Sequence, residues 1–197
     1  MMQSFLEIFS DKDEIENIEL QDYYDENIEI SNVSINRITI LKMTMLSSRL
    51  EKVIFSNVKF ENCNFSNTTF DNSSFINCKF NNCKLTGCNF VECVIFDCEF
   101  SSSNLDYSNI SMSDLKNVKF KFEMLRNCSF QENKTKNISF GESDLTSAQF
   151  FKTKLKDVDL SKCQIEGINI DLDDLKGAVI STMQSIDLMH LLGVKIK

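Results

Sequence analysis

The sequence has 197 residues, 42% of them hydrophobic, which is enough for the core of one or two domains. Its net charge of -8 is unevenly placed, because residues 1–30 contain ten acidic residues and one basic residue while the remainder sums to +1. No apolar run reaches the roughly 18 residues of a transmembrane helix. The single histidine also argues against a histidine-based catalytic triad.

The first segment, residues 1–19, shows no regular repeat and is strongly acidic. It is predicted to be an N-terminal cap, because the open end of a repeat structure must be shielded. It lacks the basic start of a secretory signal, so we expect a cytoplasmic protein whose eight cysteines are reduced.

Residues 20–180 repeat every five residues without an insertion or deletion. A large apolar side chain occupies each fifth position, with Asp25 and Thr135 as polar exceptions, and a small or apolar side chain lies two residues earlier. All eight cysteines fall at that second position. A period of five fits neither an ordinary helix nor an ordinary strand. We therefore predict an all-β solenoid in which two of every five residues point inward, four pentapeptides form one coil of about 20 residues, and coils stack at about 4.8 Å.

Side chains at equivalent positions of successive coils should stack in this arrangement. The predicted core ladder contains Phe60, Phe80, Phe100, Phe120 and Phe140, together with Cys63, Cys78, Cys83, Cys88, Cys93 and Cys98. Asparagine or glycine often follows the large residue by two positions, as at Asn57, Asn62 and Gly87, which predicts tight corners with positive φ. Five-residue spacing turns successive cysteines around the coil, so packing is favoured over a zinc site or disulfides.

One stretch, residues 121–137, departs from the pattern. Glu123 and Asn133 replace small inward residues, Thr135 replaces a large one, and Phe122 lies at an outward position. We predict a local bulge or a weakly packed coil there, and favour an ordinary imperfection over a binding feature, since an unpaired buried polar group costs about 1–3 kcal/mol.

Lysines are predicted to align on one outer face, one per coil. The candidate partner face contains Lys116, Lys136, Lys156 and Lys176, supported by Lys134 and Lys154. Two interpretations remain open. The favoured one is solvated lysines that pair with Asp157, Asp159 or Asp174; the other is a docking stripe for an acidic partner.

The repeat ends at Ile180, and the next residues predict a short helix. Ser181 and Gln184 have the spacing of a capping box, and Gly193 is placed to end the helix. Residues 181–197 therefore form a separate C-terminal helix and tail.

The repeat resembles the pentapeptide repeat family. Its motif of a small residue, Asn or Asp, then Leu or Phe is seen as Cys-Asn-Phe at 63–65 and 88–90, Ser-Asp-Leu at 113–115 and 143–145, and Val-Asp-Leu at 158–160. The resemblance implies a right-handed quadrilateral β-helix of about eight coils.

The C-terminal sequences Leu-Lys-Gly-Ala-Val-Ile at 175–180 and Leu-Leu-Gly at 191–193 are similar to the Qnr and MfpA subgroup. That similarity implies a non-enzymatic, partly DNA-mimicking protein that binds DNA gyrase or topoisomerase IV, protects it from quinolones, and dimerises through its C-terminal helix. The implied dimer interface contains Met183, Ile186, Met189, His190, Leu192, Val194 and Ile196.

A structural scaffold that binds an unrelated protein through its charged faces is the alternative. Two departures from the subgroup bear on it: no loop interrupts the repeat, and residues 31–197 are nearly neutral, whereas a DNA mimic should be acidic. No cofactor, no metal, no membrane contact and no direct binding of nucleic acid is predicted.

Overall fold

The computed structural model describes residues 4–9 and 13–193. It consists of short strands separated by corners, with helical turns near the two ends. The strands are β1 (Glu14–Glu16), β2 (Glu19–Gln21), β3 (Tyr24–Glu26), β4 (Glu29–Ser31), β5 (Ser34–Asn36), β6 (Thr39–Leu41), β7 (Thr44–Leu46), β8 (Arg49–Glu51), β9 (Ile54–Ser56), β10 (Lys59–Glu61), β11 (Ser74–Ile76), β12 (Lys79–Asn81), β13 (Val94–Phe96), β14 (Glu99–Ser101), β15 (Asp114–Lys121) and β16 (Lys134–Ser139). The helical elements are the 3₁₀ turn Leu6–Phe9, α1 (Leu172–Leu175), α2 (Gln184–Asp187) and the 3₁₀ turn Met189–Leu192.

Every strand pairs in parallel with the strand at the same position of a neighbouring coil, so the predicted all-β solenoid is confirmed. The longest ladder runs β1, β5, β9, β11, β13, β15 and β16, which is about six turns of regular strand pairing. Isolated bridges extend the stacking as far as Asp159 and Val179. Regular pairing is thus shorter than the eight coils expected, and it begins at Glu14 rather than at Leu20.

The solenoid has four outer faces. Face A carries β1, β5, β9, β11, β13, the start of β15, and β16; face B carries β2, β6, β10, β12, β14 and the end of β15. Face C begins with β3 and β7, face D begins with β4 and β8, and both continue through isolated bridges. Because β15 passes through a corner, it joins the ladders of faces A and B into one sheet.

The interior is a set of stacked side chains. Phe60 and Phe80 stack at 4.4 Å between ring centroids, Phe80 and Phe100 at 4.6 Å, Phe100 and Phe120 at 5.0 Å, and Phe120 and Phe140 at 5.3 Å. All five rings are fully buried. Phenylalanine at the same position of successive coils therefore gives one continuous aromatic column, a favourable arrangement for offset rings.

Positive φ recurs at the corners, as predicted. Asn62 and Asn82 have φ of 57° and 52°, and Gly87 has φ of 69°. The Asn82 side-chain amide also donates to the Asn62 side-chain oxygen at 2.7 Å. Asparagine thus tolerates the left-handed conformation and links one coil to the next.

The small inward side chains bond to the backbone of the preceding coil. Ser73 Oγ donates to the Leu50 carbonyl at 3.0 Å, and the Cys88 thiol lies 2.9 Å from the Phe65 carbonyl. All eight cysteines are buried and free. Serine, threonine and cysteine are interchangeable at this position because each reaches the equivalent carbonyl of the coil before it.

Of the two alternatives predicted for residues 121–137, the bulge is wrong, whereas Thr135 is only half-buried and lines an open groove. The coil-to-coil register continues through this stretch, for example from Met124 to Asp144. Asn133 is buried and accepts from Ser113 N at 2.8 Å while donating to the Ile110 carbonyl at 2.6 Å, so its polar atoms are satisfied. The corner changes on the next side of the solenoid instead, where Gly141 rather than Glu142 takes positive φ; a Cβ there would lie 3.0 Å from the Phe120 carbonyl.

The N-terminal turn closes the first coil. Phe5 is 1% exposed, and Asp25, the polar exception at an inward position, accepts from Phe5 N at 2.6 Å and from Ser4 Oγ at 2.5 Å. Asp25 therefore anchors the cap instead of packing into the apolar column.

The C-terminal end has the predicted capping box. Ser181 N donates to Gln184 Oε1 at 2.8 Å, and Gln184 N donates to Ser181 Oγ at 3.3 Å. The buried Gln184 amide also donates to the carbonyls of Leu160 and Cys163, both at 2.7 Å. Helix α2 is shorter than expected and passes into a 3₁₀ turn, while α1 replaces one side of the last coil.

Candidate interaction faces

Lysines form two adjacent rows at the C-terminal half of face A. The pairing of β15 with β16 places Lys116 beside Lys136 and Asp114 beside Lys134. One open groove is lined by Lys136, Lys154 and Lys156. The structure therefore brings most of the predicted partner face together with the supporting Lys134 and Lys154.

Among the described residues, these lysines do not form the predicted ion pairs with Asp157, Asp159 or Asp174. Lys176 forms an ion pair with Asp173 at 2.5 Å, and Asp174 is buried, where it accepts from Lys152 N at 2.7 Å. Lys116 lies 4.8 Å from the centroid of the Phe96 ring, a cation–π contact.

Four lysines on face A have no carboxylate partner. Within residues 4–9 and 13–193, no ion pair closer than 4.0 Å is formed by Lys134, Lys136, Lys154 or Lys156. All four side chains are exposed, so their charges face solvent.

An apolar strip precedes the lysine rows on the same face. Ile54, Ile76 and Val94 are 46%, 38% and 47% exposed, although strand residues of this size are usually covered. Register aligns Ile54 with Val94 in one column and Ile76 with the half-buried Phe96 in the other. The middle of face A thus has four outward apolar side chains over two coil spacings, with Ser74 between Ile54 and Val94 and Ser56 before Ile76.

The first coil is surrounded by carboxylates. Residues 13–32 contain eight acidic residues and no basic residue. Only Asp25 among them is buried; the exposed ones are Asp13, Glu14, Glu16, Glu19, Asp22, Glu26 and Glu29. We call these seven residues the acidic collar. Negative charge is therefore concentrated at one end of the solenoid and positive charge lies along face A toward the other.

Residues 53–125 match the family model described as a pentapeptide repeat region. This match identifies residues 53–125 as a pentapeptide repeat region, and the same coil-to-coil register continues on both sides of it. No curated protein sequence matches the chain significantly.

Solved structures that are similar to this chain share little sequence with it. A trypsin-treated form of QnrB1, a plasmid-mediated fluoroquinolone resistance protein, is 16% identical, covering 93% of this chain and 100% of its own, with a TM-score of 0.46. HetL, which is involved in heterocyst differentiation regulation in the cyanobacterium Nostoc sp. strain PCC 7120, is 13% identical, covering 91% and 93%, with a TM-score of 0.37. Rfr23 from the cyanobacterium Cyanothece 51142 is 11% identical, covering 89% and 97%, with a TM-score of 0.26. Similarity at this level says nothing about a shared partner.

The C-terminal end of the solenoid exposes apolar side chains. Met183, Ile186 and Leu192 are 74%, 56% and 57% exposed, and Met189 is half-buried. Of the remaining predicted interface residues, Val194 and Ile196 and the side chain of His190 lie outside the described residues. Exposed apolar side chains on a terminal turn are suited to a contact between proteins.

The interior of the solenoid offers few reactive groups. Burial raises the pKa of Cys163 to about 11 and that of Cys93 to about 12, so these thiols stay protonated and unreactive near neutral pH. Within the part of the chain that the structure describes, no group of three histidine, cysteine, aspartate or glutamate side chains could hold a metal ion. No helix among those residues is both long and apolar enough to cross a membrane.

Glu123 is the exceptional inward group. It is 2% exposed, and its Oε2 accepts from Ser103 N at 2.9 Å while its Oε1 lacks a hydrogen-bond partner among the described residues. Burial raises its pKa to about 8, and the Ser103 hydrogen bond opposes that rise. Sequence reasoning identified the residue but not that it is accommodated without disturbing the coil.

Proposed function

We propose that this pentapeptide repeat protein is a non-enzymatic binding protein whose partner is a type II topoisomerase, DNA gyrase or topoisomerase IV, and that the acidic collar makes the contact. The collar is the observation that carries the proposal. Duplex DNA has one negative charge per about 1.7 Å of axis, which is about three charges in the roughly 4.8 Å rise of one coil. The collar has more than twice that density, and it occupies all four sides of the rod.

DNA mimicry is confined to this end of the rod. Residues 31–197 sum to +1, and the lysine rows of face A would repel a surface built to bind DNA. A basic groove of the topoisomerase would therefore receive the N-terminal end, and binding would weaken as salt is raised.

A gyrase supercoiling assay with the full chain, with and without a quinolone, tests the proposal. We expect inhibition of supercoiling at high protein concentration and protection from the drug. Replacing Glu19, Glu26 and Glu29 by Gln removes collar charge from faces B, C and D and should weaken the effect by about tenfold or more. The matched control replaces the exposed Glu92, Glu132 and Glu166 by Gln, far from the collar, and should act like the parent. No inhibition and no protection at micromolar protein would remove the proposal.

We propose also that the C-terminal end forms a homodimer. Ile186 and Met183 are exposed there, so Ile186→Glu should give a monomer without unfolding the solenoid. Truncation after Ile180 is a harsher test, because it also removes the Gln184 bonds to the last coil and leaves an end prone to aggregate. Light scattering that finds an intact dimer for Ile186→Glu would contradict this interface.

A scaffold for an acidic protein partner is the second candidate. The unpaired lysines of face A favour it, since stacked like charges are stabilised by an anionic surface laid over them. Reversal of Lys116, Lys136, Lys156 and Lys176 to Glu in a pull-down should abolish recovery of such a partner. Unchanged recovery would exclude the lysine rows as its docking site.

A further inference from the structure

We propose that face A is a self-complementary surface on which a second copy of this chain docks antiparallel. This interface differs from the C-terminal contact and does not depend on the proposed topoisomerase function. It rests on the order of side chains along one face, on their register, and on their exposure.

The outward residues of face A change from acidic to apolar to basic along the rod. Its two outward columns begin with Glu14 and Glu16 on β1, and they end the strand ladder with Lys134 and Lys136 on β16. Ile54, Ile76, Val94 and Phe96 lie between these ends. Acid, apolar and basic segments follow one another on one flat surface.

We call each strand of the face A ladder a rung. The order of acidic, apolar and basic segments is centred on one of these rungs. The inward residues of the seven rungs are Ile15, Ile35, Phe55, Phe75, Ile95, Leu115 and Thr135. Phe75 is the fourth of the seven, so the acidic rung and the lysine rung of β16 are each three rungs away from it. A two-fold axis along the strand direction at the Phe75 rung therefore exchanges the two ends.

That two-fold axis keeps each column opposite the same column of the partner. In one column, Glu14 meets Lys134 and Ile54 meets Val94; in the other, Glu16 meets Lys136. Ile76, on the axis rung, meets its own copy. The remaining rungs place Ser34 opposite Asp114, Asn36 opposite Lys116, Ser56 opposite Phe96, and Ser74 opposite its own copy. Opposite charges at the two ends and the apolar pair of Ile54 with Val94 are matched by one operation, as a self-complementary interface between identical subunits requires.

The groups needed for this contact are available. Glu14, Glu16, Lys134 and Lys136 are all exposed. Glu16 pairs with Arg37 at 2.5 Å, but that bridge is solvent-exposed on both sides, and such pairs exchange partners at little cost.

The size of the face predicts a weak dimer. Seven rungs span about 29 Å and a five-residue side is about 16 Å wide, so on the order of 450 Å² per copy is covered. The total of about 900 Å² is below the roughly 1,200–2,000 Å² of stable specific interfaces and falls in the range of weak, transient ones. Association should therefore need micromolar or higher protein, and should weaken between about 0.05 M and about 0.5 M salt because charge pairs set its register.

A charge-swap experiment tests this interface in the full chain. All proteins carry Ile186→Glu, so that the C-terminal contact does not contribute to the measured mass. One variant adds Glu14→Lys and Glu16→Lys, and the other adds Lys134→Glu and Lys136→Glu. Sedimentation equilibrium measures the dimerisation constant of each variant alone and of their equimolar mixture.

Each variant alone brings like charges together, so it should associate at least about tenfold more weakly than the parent. The mixture restores opposite charges at the substituted positions and should therefore recover parent-like association. A matched control, Lys59→Glu with Lys79→Glu on face B, has the same charge change and should leave association unchanged. Val94→Glu in the apolar centre should abolish association in every combination. The proposal is overturned by a parent that stays monomeric at low salt, by variants that dimerise like the parent, or by a mixture that fails to recover.

Discussion

Glu123 makes the stability of the rod depend on pH. Its pKa rises from 4.5 to about 8 on folding because the carboxyl is removed from water. The folded chain therefore holds the proton more tightly than the unfolded chain. The contribution of Glu123 to stability is therefore greatest below about pH 4.5, falls as pH rises toward 8, and changes little above that value. At about 1.4 kcal/mol for each pKa unit, the whole window is worth about 5 kcal/mol.

Glu123→Gln should remove this pH dependence. A glutamine stays neutral, and the amide of Asn133 at an equivalent inward position already bonds to both a backbone N–H and a carbonyl. The difference in unfolding free energy between Glu123→Gln and the parent should be small at pH 5 and should reach several kcal/mol in favour of glutamine at pH 8.5.

Urea unfolding followed by far-ultraviolet circular dichroism at pH 5, 7 and 8.5 measures this difference. Glu166→Gln, which changes an exposed carboxylate, is the control and should show no such trend. The cysteines also titrate in alkali, but their contribution is common to all three proteins and cancels. A difference between glutamine and glutamate that stays constant with pH would refute the reasoning.

Three further predictions concern the interior and the cap. Phe80→Ala should lower the unfolding free energy by about 3–5 kcal/mol, because it opens a cavity in the aromatic column, whereas Phe122→Ala, at 62% exposure, should change it by less than about 0.5 kcal/mol. Asp25→Ala should release the N-terminal turn, seen as faster hydrogen exchange at the Phe5 amide while the rod stays folded. The thiols should react with a thiol reagent only after urea unfolding, because all eight are buried, and burial raises the pKa of Cys93 to about 12 and also raises the pKa of Cys88 and Cys128.

Each of these predictions has a contrary outcome. Equal costs for the two phenylalanine variants would mean that the column is not the core. An unchanged exchange rate at Phe5 would show that the cap is held by something other than Asp25. Rapid labelling of the native protein would mean that coils open locally without global unfolding.

The five-residue period predicts most of the fold. It separates inward from outward residues because inward side chains are buried on every side of every coil and must be apolar or small. Asparagine indicates the corners because it tolerates positive φ. The same pattern located Asp25 and Glu123 as exceptions. It could not show that Asp25 binds the cap or that Asn133 is satisfied, because those partners come from other coils and are set by the stacked backbone.

The charged outer face was harder to predict. The stacking of coils gives the alignment of Lys116 and Lys136, but the ion pair of Lys176 with Asp173 depends on α1, and the repeat alone predicts another regular side there. The corner at Gly141 is a similar case, since a Cβ at this position would lie 3.0 Å from the Phe120 carbonyl of the preceding coil. Local departures of this kind depend on contacts rather than on periodicity.

The fixed register also restricts how chain length can change. An insertion or deletion of four consecutive pentapeptides adds or removes one coil and leaves every later side chain on its original face. A change of a single pentapeptide would keep the interior intact but rotate everything after it by a quarter turn, which would move Lys134 and Lys136 away from the column of Glu14 and Glu16. Such a variant would fold with an unaltered core and a rearranged surface. The number of pentapeptides between two residues therefore determines the faces on which they lie, as well as the distance between them.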